Sequence, residues 1–78
     1  MNRDEIIVRL TPIAQNDFEK QDMVLSDEQS SETVDTWTSF AFMRFLSDIE
    51  KEFGIKFKMM EVLSLKTIGD IVEAIAKH

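Results

Sequence analysis

Apolar residues recur at spacings of three and four in three separate segments of this chain. That period places them on one face of an α-helix and does not fit the strict alternation of a half-buried strand. The chain has two glycines, one proline and no cysteine in 78 residues, so turns are few and no disulfide is available. Amphipathic helices of this size cannot bury their apolar faces alone, and we expect them to pack together as a small all-α bundle.

The first helix is predicted over Arg3–Phe18. Its apolar stripe comprises Ile6, Ile7, Leu10, Ile13, Ala14 and Phe18. Pro12 interrupts this segment, because proline inside a helix removes one backbone hydrogen bond and clashes with the preceding turn. The sequence therefore predicts either a kink at Pro12 or a helix that restarts with Thr11 as its cap.

A loop with no sustained period spans residues 19–38. A loop of this length in a small domain is either functional or disordered. Residues 17–38 contain seven acidic side chains and a single basic one, which fits either a solvated loop or a docking surface. Met23, Val24 and Leu25 are expected to pin the middle of the loop to the core.

The second helix is predicted over Ser39–Phe53, with Ser39 as its N-cap and Gly54 just past its C-terminus. Its apolar stripe is expected to consist of Met43, Leu46, Ile49 and Phe53, flanked by Phe42 and Phe45. Phe40 and Phe42 are two positions apart and point in nearly opposite directions on a helix. One of these two rings should therefore be partly exposed.

Two shorter elements complete the chain, which forms a single domain over residues 1–78. One short helical turn is predicted at Met60–Leu63. The last helix opens at Thr67, and Asp70 stands where it can complete a weak capping box. The apolar face of this helix comprises Ile68, Ile71, Val72 and Ile75.

Charge and composition exclude several classes of function. A net charge of −6 disfavours nucleic acid as a partner, because its phosphates would be repelled. No segment approaches the roughly 20 apolar residues of a membrane span, and the charged N-terminus is unlike a signal peptide, so we expect a cytoplasmic monomer. His78 is the only histidine and should lie in a frayed tail. No side chains have the spacing of a metal site or of a nucleophile with its base, so no enzyme activity is expected.

Several motifs, in order along nearly the whole chain, resemble the acyl carrier protein family. The stretch "WTSF" (Trp37–Phe40) stands where stand-alone carriers have Trp-Asp-Ser-Leu. "EKEFGIKF" (Glu50–Phe57) is similar to the end of the family's helix II, and "LKTIGDIVEAI" (Leu65–Ile75) is similar to its last helix. The offset of 14 positions from Ser39 to Phe53 matches the family's spacing between its modified serine and this phenylalanine.

The resemblance implies a small four-helix bundle of acyl-carrier type, with three main helices, a short third helix and a long loop between helices I and II. It also implies that Ser39 receives 4′-phosphopantetheine from coenzyme A through a phosphodiester. The thiol of that arm would carry an acyl or aminoacyl group as a thioester. The implied partners are a phosphopantetheinyl transferase and the acyl- or aminoacyl-transferring and synthase enzymes of a specialised fatty-acid, polyketide or related pathway.

The residues around Ser39 fit this role without establishing it. A serine at a helix N-terminus lies beside free amide groups and the positive end of the helix dipole, and both suit a phosphate. The same position also fits a simple capping serine. On the residues alone, Ser39 is therefore either a helix cap or an attachment point.

The chain departs from the family next to the serine. Members usually have Asp immediately before it, and this chain has Thr38. The triplet Asp35-Thr36-Trp37 superficially resembles Asp-Ser-Leu and makes Thr36 a minor alternative acceptor, but it lies three residues too far from Phe53. Loss of the aspartate also removes a charge that a transferase could read.

The exposed face of the second helix departs from the family as well. Related carriers have acidic residues along this face, whereas this chain has Ala41 and Arg44, and its acidic residues lie further along the helix. Since charge complementarity sets the encounter rate and rejects wrong partners, a reversed charge here predicts dedicated partner enzymes. Phe40 and Arg44 are possible partner contacts, and Trp37 braces the loop, meets the arm or contacts a partner.

The resemblance leaves two expectations open. An acyl tail could fold back between helices II and III, where Met43, Met59, Met60 and Ile49 are expected to line an expandable cavity, since methionine fills irregular gaps. The alternative function is an unmodified helical module with the carrier fold that binds a partner through helix II and the acidic loop. Thr38 in place of Asp is the feature that favours this alternative.

Overall fold

The computed structural model describes residues 1–78 and contains four α-helices and no β-strand. In chain order they are α1 (Arg3–Asp17), α2 (Ser39–Phe53), α3 (Met59–Leu63) and α4 (Ile68–Lys77). α1 packs against both α2 and α4. None of the four has the length and apolar character needed to cross a membrane. The prediction of three main helices, a short third helix and a long first loop is confirmed.

One cluster of 17 buried apolar side chains forms the core, with contributions from α1, the first loop, α2, the segment before α4, and α4 itself. Its fully buried members are Ile6, Leu10, Ala14, Phe18, Phe45, Ile49, Ile68 and Ile71. The predicted faces of the first and last helices supply most of them. In a domain this small the fraction of surface buried on folding is low, so each of these side chains carries a large share of the stability.

α1 runs through Pro12 without a break. The helix begins after Asn2, whose side-chain oxygen accepts a hydrogen bond from the Glu5 amide at 2.8 Å. The Thr11 hydroxyl donates to the Ile7 carbonyl at 2.7 Å, which is a contact within the helix and not a cap. The prediction of a restart at Thr11 is wrong, because tertiary packing of the buried stripe on both sides of Pro12 sustains a single helix.

The buried face of α2 is rotated relative to the prediction. Ala41, Phe45 and Ile49 are buried at intervals of four, whereas Met43 is 61% exposed. Residues two positions apart on a helix point about 200° apart, so a face centred on Phe45 turns Met43 outward. Leu46 is buried as predicted, and the assignment of Met43 to the stripe is wrong.

The first loop contributes to the core through Met23, Val34 and Trp37, all of which are buried. Val24 is 79% exposed, so the prediction that it pins the loop is wrong. Successive side chains of an extended segment point to opposite sides. Burial of Met23 therefore sends its neighbour into solvent, and Leu25 is half-buried.

Backbone hydrogen bonds tie the first loop to the start of α4. The Ile68 amide donates to the Gln29 carbonyl, and the Gly69 amide donates to the Asp27 carbonyl, both at 3.0 Å. A Cβ atom at position 69 would lie 3.1 Å from the Cβ of Asp27. Glycine at this position permits the close approach of the two segments.

Gly54 ends α2 in the left-handed conformation, with φ of 65°. Gly54→Ala is expected to cost about 1 kcal/mol, because a Cβ atom is disfavoured in this conformation although it would meet no neighbour here. Urea unfolding measures the change. Gly54→Asn serves as the control and should cost less, since asparagine tolerates this conformation; equal stability of the alanine variant and the parent would contradict the assignment.

Candidate attachment site at the start of α2

Thr38, and not Ser39, caps α2. Thr38 has a non-helical backbone (φ −88°, ψ 169°), and its hydroxyl oxygen accepts a hydrogen bond from the Ala41 amide at 3.1 Å. Ser39 is the first helical residue, and its exposed hydroxyl makes no hydrogen bond within the chain. The prediction of Ser39 as the cap is wrong by one position. Because Thr38 provides the cap, the Ser39 hydroxyl remains free to react.

The backbone around Ser39 suits a phosphate group. The amides of Ser39 and Phe40 have no acceptor within the chain, as expected at the start of a helix. These donors and the positive end of the dipole of a 15-residue helix favour a negative charge next to the Ser39 oxygen. An exposed hydroxyl with these surroundings fits a phosphodiester, and the residues present therefore fit a covalently attached phosphopantetheine.

An open groove of about 440 Å³ lies beside Ser39. It is bounded by the first loop, the start of α2 and the segment that joins α3 to α4. Its lining residues are Ser30, Ser31, Glu32, Trp37, Thr38, Ser39, Phe42, Leu65, Lys66 and Thr67. Its surface is mixed: Trp37, Phe42 and Leu65 form an apolar part, hydroxyl-bearing side chains form much of the rest, and Lys66 supplies its one positive charge.

Three aromatic rings are stacked beneath the groove. The Trp37 ring lies between Phe18, with a centroid distance of 4.8 Å, and Phe42, with a centroid distance of 5.9 Å; both pairs are inclined by 17°. Phe18 also contacts Phe45 at 4.9 Å. Trp37 is only 8% exposed. This packing fits a role in bracing the loop; only the part of the ring that borders the groove is accessible, and a contact between Trp37 and a partner stays a prediction.

The alternative acceptor Thr36 is inaccessible. Its hydroxyl oxygen is buried and has no hydrogen-bond partner. A transferase could not reach that oxygen without opening the loop. The structure thus removes the geometric basis for modification at Thr36 and leaves Ser39 as the exposed hydroxyl at the predicted register.

Phe40 follows Ser39 and is 76% exposed, whereas Phe42 is half-buried. The prediction that one of these two rings is exposed is confirmed. The Arg44 guanidinium lies 5.6 Å from the centroid of the Phe40 ring, within the range of a cation–π contact. Phe40 therefore presents a large apolar surface directly beside the candidate attachment oxygen.

Arg44 is bound to a buried carboxylate that the sequence did not reveal. Its Nε donates to Asp17 Oδ1 at 3.1 Å, and its Nη2 donates to the Asp17 carbonyl at 2.7 Å. Asp17 belongs to the acidic stretch for which a solvated loop and a docking surface were both open, yet its side chain is fully buried at the end of α1. The charge of Arg44 is therefore largely matched within the domain and is not a free positive charge on the surface of α2.

The environment of Asp17 raises the pKa of its carboxyl above the ordinary value. Burial is the largest cause, the neighbouring Asp48 carboxylate acts in the same direction, and Arg44 opposes both. The second oxygen, Asp17 Oδ2, has no hydrogen-bond partner. Arg44 thus offsets part of the cost of burying this charge.

No second reactive centre is present. His78 is held in place and is not the frayed tail that was predicted: its Nε2 lies 2.9 Å from Glu61 Oε2, and its ring meets Phe57 edge-on at 5.7 Å. The backbone amide of Lys58, followed by His78, lowers the pKa of Glu61. No group of three or more histidine, aspartate or glutamate side chains is arranged to hold a metal ion.

Comparisons with known proteins agree with this geometry. A family model described as "Phosphopantetheine attachment site" matches residues 38–75. The solution NMR structure of a holo acyl carrier protein from Geobacter metallireducens is similar, with a TM-score of 0.82 and 29% sequence identity; the match covers 96% of this chain and 82% of that chain. A search of curated proteins finds no match.

The matched region begins at the capping residue Thr38 and takes in the exposed serine and the last three helices. Fold and family model together define a small helical carrier domain of the phosphopantetheine-binding class. The chain is similar to acyl carrier proteins in fold, and its residues 38–75 match the phosphopantetheine attachment model. It is a carrier and not an enzyme, and its cofactor is covalently bound 4′-phosphopantetheine.

The capping role of Thr38 predicts the effect of replacing it. Thr38→Ala should lower the free energy of unfolding by about 1 kcal/mol, because the Ala41 amide loses its acceptor. Thr38→Asp should retain the parent's stability, since aspartate caps equally well and adds a negative charge near the helix N-terminus. Urea unfolding of the two variants tests this pair, and an alanine variant as stable as the aspartate variant would rule out the cap.

The raised pKa of Asp17 predicts a pH-dependent effect at Asp48. The destabilisation that accompanies the raised pKa of Asp17 is absent below the ordinary pKa of 3.8, grows as the pH rises from there to the raised pKa, and is constant above it. Asp48→Asn removes the neighbouring negative charge, so at pH 7 it should stabilise the fold by about 0.5–1 kcal/mol. The gain should shrink as the pH falls towards 4.

Urea unfolding between pH 4 and pH 7 measures that dependence. Glu73→Gln is the matched control, because Glu73 is an exposed residue of α4 with no ion pair. The control should change stability little at any pH in this range. A gain from Asp48→Asn that stays constant with pH would show that repulsion between Asp17 and Asp48 is not its cause.

Proposed function

We propose that Ser39 is the residue to which 4′-phosphopantetheine is attached. The observation that carries the proposal is the free, exposed Ser39 hydroxyl at the first position of α2, with Thr38 taking over the capping role. The transferase would join Ser39 Oγ to the phosphorus of the pantetheine phosphate. The bond to the adenosine bisphosphate part of coenzyme A breaks, and the hydroxyl proton passes to a base of the transferase.

The attached group supplies a thiol that forms thioesters with acyl or aminoacyl groups. The polypeptide has no cysteine, so this thiol would be its single reactive sulfur. We propose that the chain acts as a cytoplasmic monomer that presents such a thioester to synthase and transferase enzymes. The rigid aromatic stack below Ser39 would give the mobile arm a fixed base.

The surface of α2 supports a dedicated set of partners in a specialised fatty-acid, polyketide or related pathway. Arg44 is matched by Asp17, and Glu52 is engaged by Arg9 at 2.9 Å. Glu50 accepts a hydrogen bond from the Phe57 amide at 2.9 Å. Few charges on this helix are therefore free to steer a strongly basic partner.

The exposed surface next to Ser39 is apolar instead. Phe40 is the most prominent side chain there, and Met43, one helical turn further along, is also exposed. Large aromatic residues are over-represented among the side chains that dominate binding energy. We propose that partners recognise the carrier mainly through Phe40, while Arg44 holds the Phe40 ring by its cation–π contact.

The second candidate function is an unmodified interaction module with the same fold. Thr38 favours it, because a neutral residue stands where carriers usually present an aspartate to the transferase. The cap geometry weakens this argument for the unmodified module. Thr38 preserves the capping role that an aspartate would have, so the substitution removes a charge while the helix start and the position of Ser39 are retained.

Intact-mass measurement after incubation with coenzyme A, Mg²⁺ and a broad-specificity phosphopantetheinyl transferase tests the attachment site. The parent should gain about 340 Da, the mass of the covalently added arm. Ser39→Ala should gain nothing. Thr36→Val is the matched control and should be modified as the parent is, because the Thr36 hydroxyl is buried.

Other results of the mass measurement would lead to different conclusions. A mass gain that persists in Ser39→Ala and disappears in Thr36→Val would move the attachment to Thr36. No gain with several transferases, in both the parent and Thr38→Asp, would favour the unmodified interaction module. A gain in Thr38→Asp alone would show that the missing charge, and not the position of Ser39, limits recognition by these transferases.

A further inference from the structure

We infer that this carrier does not enclose an acyl chain of up to about eight carbons in its helical bundle, and that such a cargo remains in contact with solvent. The inference rests on the proposed attachment at Ser39. It follows from the way in which aromatic rings close the interior next to Ser39, while an open groove of mixed character lies beside the same oxygen.

The route from Ser39 towards the core is blocked by aromatic rings. Trp37 and Phe42 line the groove, and behind them Phe18 and Phe45 are fully buried. Adjacent rings in this series have centroids 4.8–5.9 Å apart. At these spacings the rings are in direct contact, so an alkyl chain that enters here must first displace one of them.

The areas involved decide against such a displacement for chains of up to about eight carbons. An aromatic side chain buries about 150–250 Å². One methylene buries about 30 Å² by the usual transfer free energies. Expelling one ring therefore forfeits the burial that five to eight methylenes would provide, and the stacking contacts are lost in addition. A chain of up to about eight carbons gains nothing by entering.

The flexible side chains that could have yielded to a guest lie outside the core. Met59 and Met60 are 76% and 78% exposed, and Met43 is exposed as well. Of the four residues expected to line an expandable cavity, only Ile49 is buried. The predicted cavity between helices II and III is thus not formed. Side chains with few accessible rotamers, such as Phe45 and Ile49, occupy the interior of α2 instead.

The groove beside Ser39, unlike the closed core, is open to solvent. The groove of about 440 Å³ lies within the size range of small-molecule sites. Hydroxyl groups of Ser30, Ser31 and Thr67, with the charges of Glu32 and Lys66, border it. Such a lining can hydrogen-bond amides, hydroxyl groups and small polar acyl groups, and Trp37, Phe42 and Leu65 offer an acyl chain apolar contact at the surface without entry into the bundle.

Chain-length dependence of the thermal midpoint, Tm, tests the inference on the loaded carrier. Acetyl- and octanoyl-coenzyme A are used with the transferase to load Ser39, and Tm is measured for each form. An enclosed octanoyl chain should raise Tm by several degrees in a domain of this size. We expect the two forms to differ by less than about 1 °C, and the emission of Trp37, the only tryptophan, to be the same in both.

A second arm of the experiment does not depend on enzymatic modification. Because the chain has no cysteine, Ser39→Cys provides a unique thiol at the groove. Its thiolate reacts with ethyl or octyl methanethiosulfonate, forming a disulfide to the alkyl group and releasing methanesulfinate. The octyl and ethyl adducts should have the same Tm within about 1 °C and the same tryptophan emission.

Phe42→Ala in the Ser39→Cys background is the matched variant. Removing the half-buried ring opens the floor of the groove while Trp37 and Phe18 remain, so the octyl adduct of this variant should have a higher Tm than its ethyl adduct. If this variant fails to fold, Phe42→Leu, which removes the stacked ring and keeps much of its volume, takes its place, with a smaller chain-length effect in the same direction.

The outcomes separate the two proposals. An octanoyl or octyl form of the parent sequence that is several degrees more stable than its short-chain counterpart, with a shift in Trp37 emission, would overturn the inference on cargo and leave the attachment site untouched. Failure of every transferase to load Ser39 would overturn the proposed function. The thiol arm would still show whether the bundle excludes a long chain.

Discussion

The Trp37 indole, stacked between Phe18 and Phe42, is the contact on which the rest of the structure depends. It joins the residue just after α1, the end of the long loop and the first turn of α2. Without it, a loop of 20 residues would lead into α2 with little to fix its last segment. Because both neighbouring rings are held by the bundle, the backbone on either side of Trp37 is fixed, and Thr38 and Ser39 follow at a defined position on the surface.

The adjacent hydroxyl residues Thr38 and Ser39 have different tasks, and helix geometry separates them. The cap must have a non-helical backbone so that its side chain can reach the amide three residues ahead. The next residue enters the helix, and its side chain points away from the capped amides. A hydroxyl at this position is free, exposed and next to unpaired N–H groups. A single residue could not both cap the helix and carry a covalent group, because its one hydroxyl oxygen would be used for only one of the two roles.

The sequence predicted the architecture because it depends on periodicity, and spacing gave the proposed register of the site. The stripes of α1 and α4 keep a clear helical period, and the interval from Ser39 to Phe53 fixes the alignment. The sequence could not assign the cap, since threonine and serine are both good N-cap residues. It also misplaced Met43, because the nearly continuous apolar run from Phe40 to Leu46 is compatible with more than one buried face.

The burial of Asp17 could not be predicted from the pattern of residues alone. An aspartate at the start of an acidic segment is typical of solvated surface, and its burial depends on an arginine 27 residues away. Once that pair is recognised, Arg44 ceases to be a reversed charge on a docking surface and becomes the partner of a buried carboxylate. The exposed side of α2 near Ser39 is then dominated by Phe40, and this is why the proposed recognition of partners relies on apolar shape more than on charge.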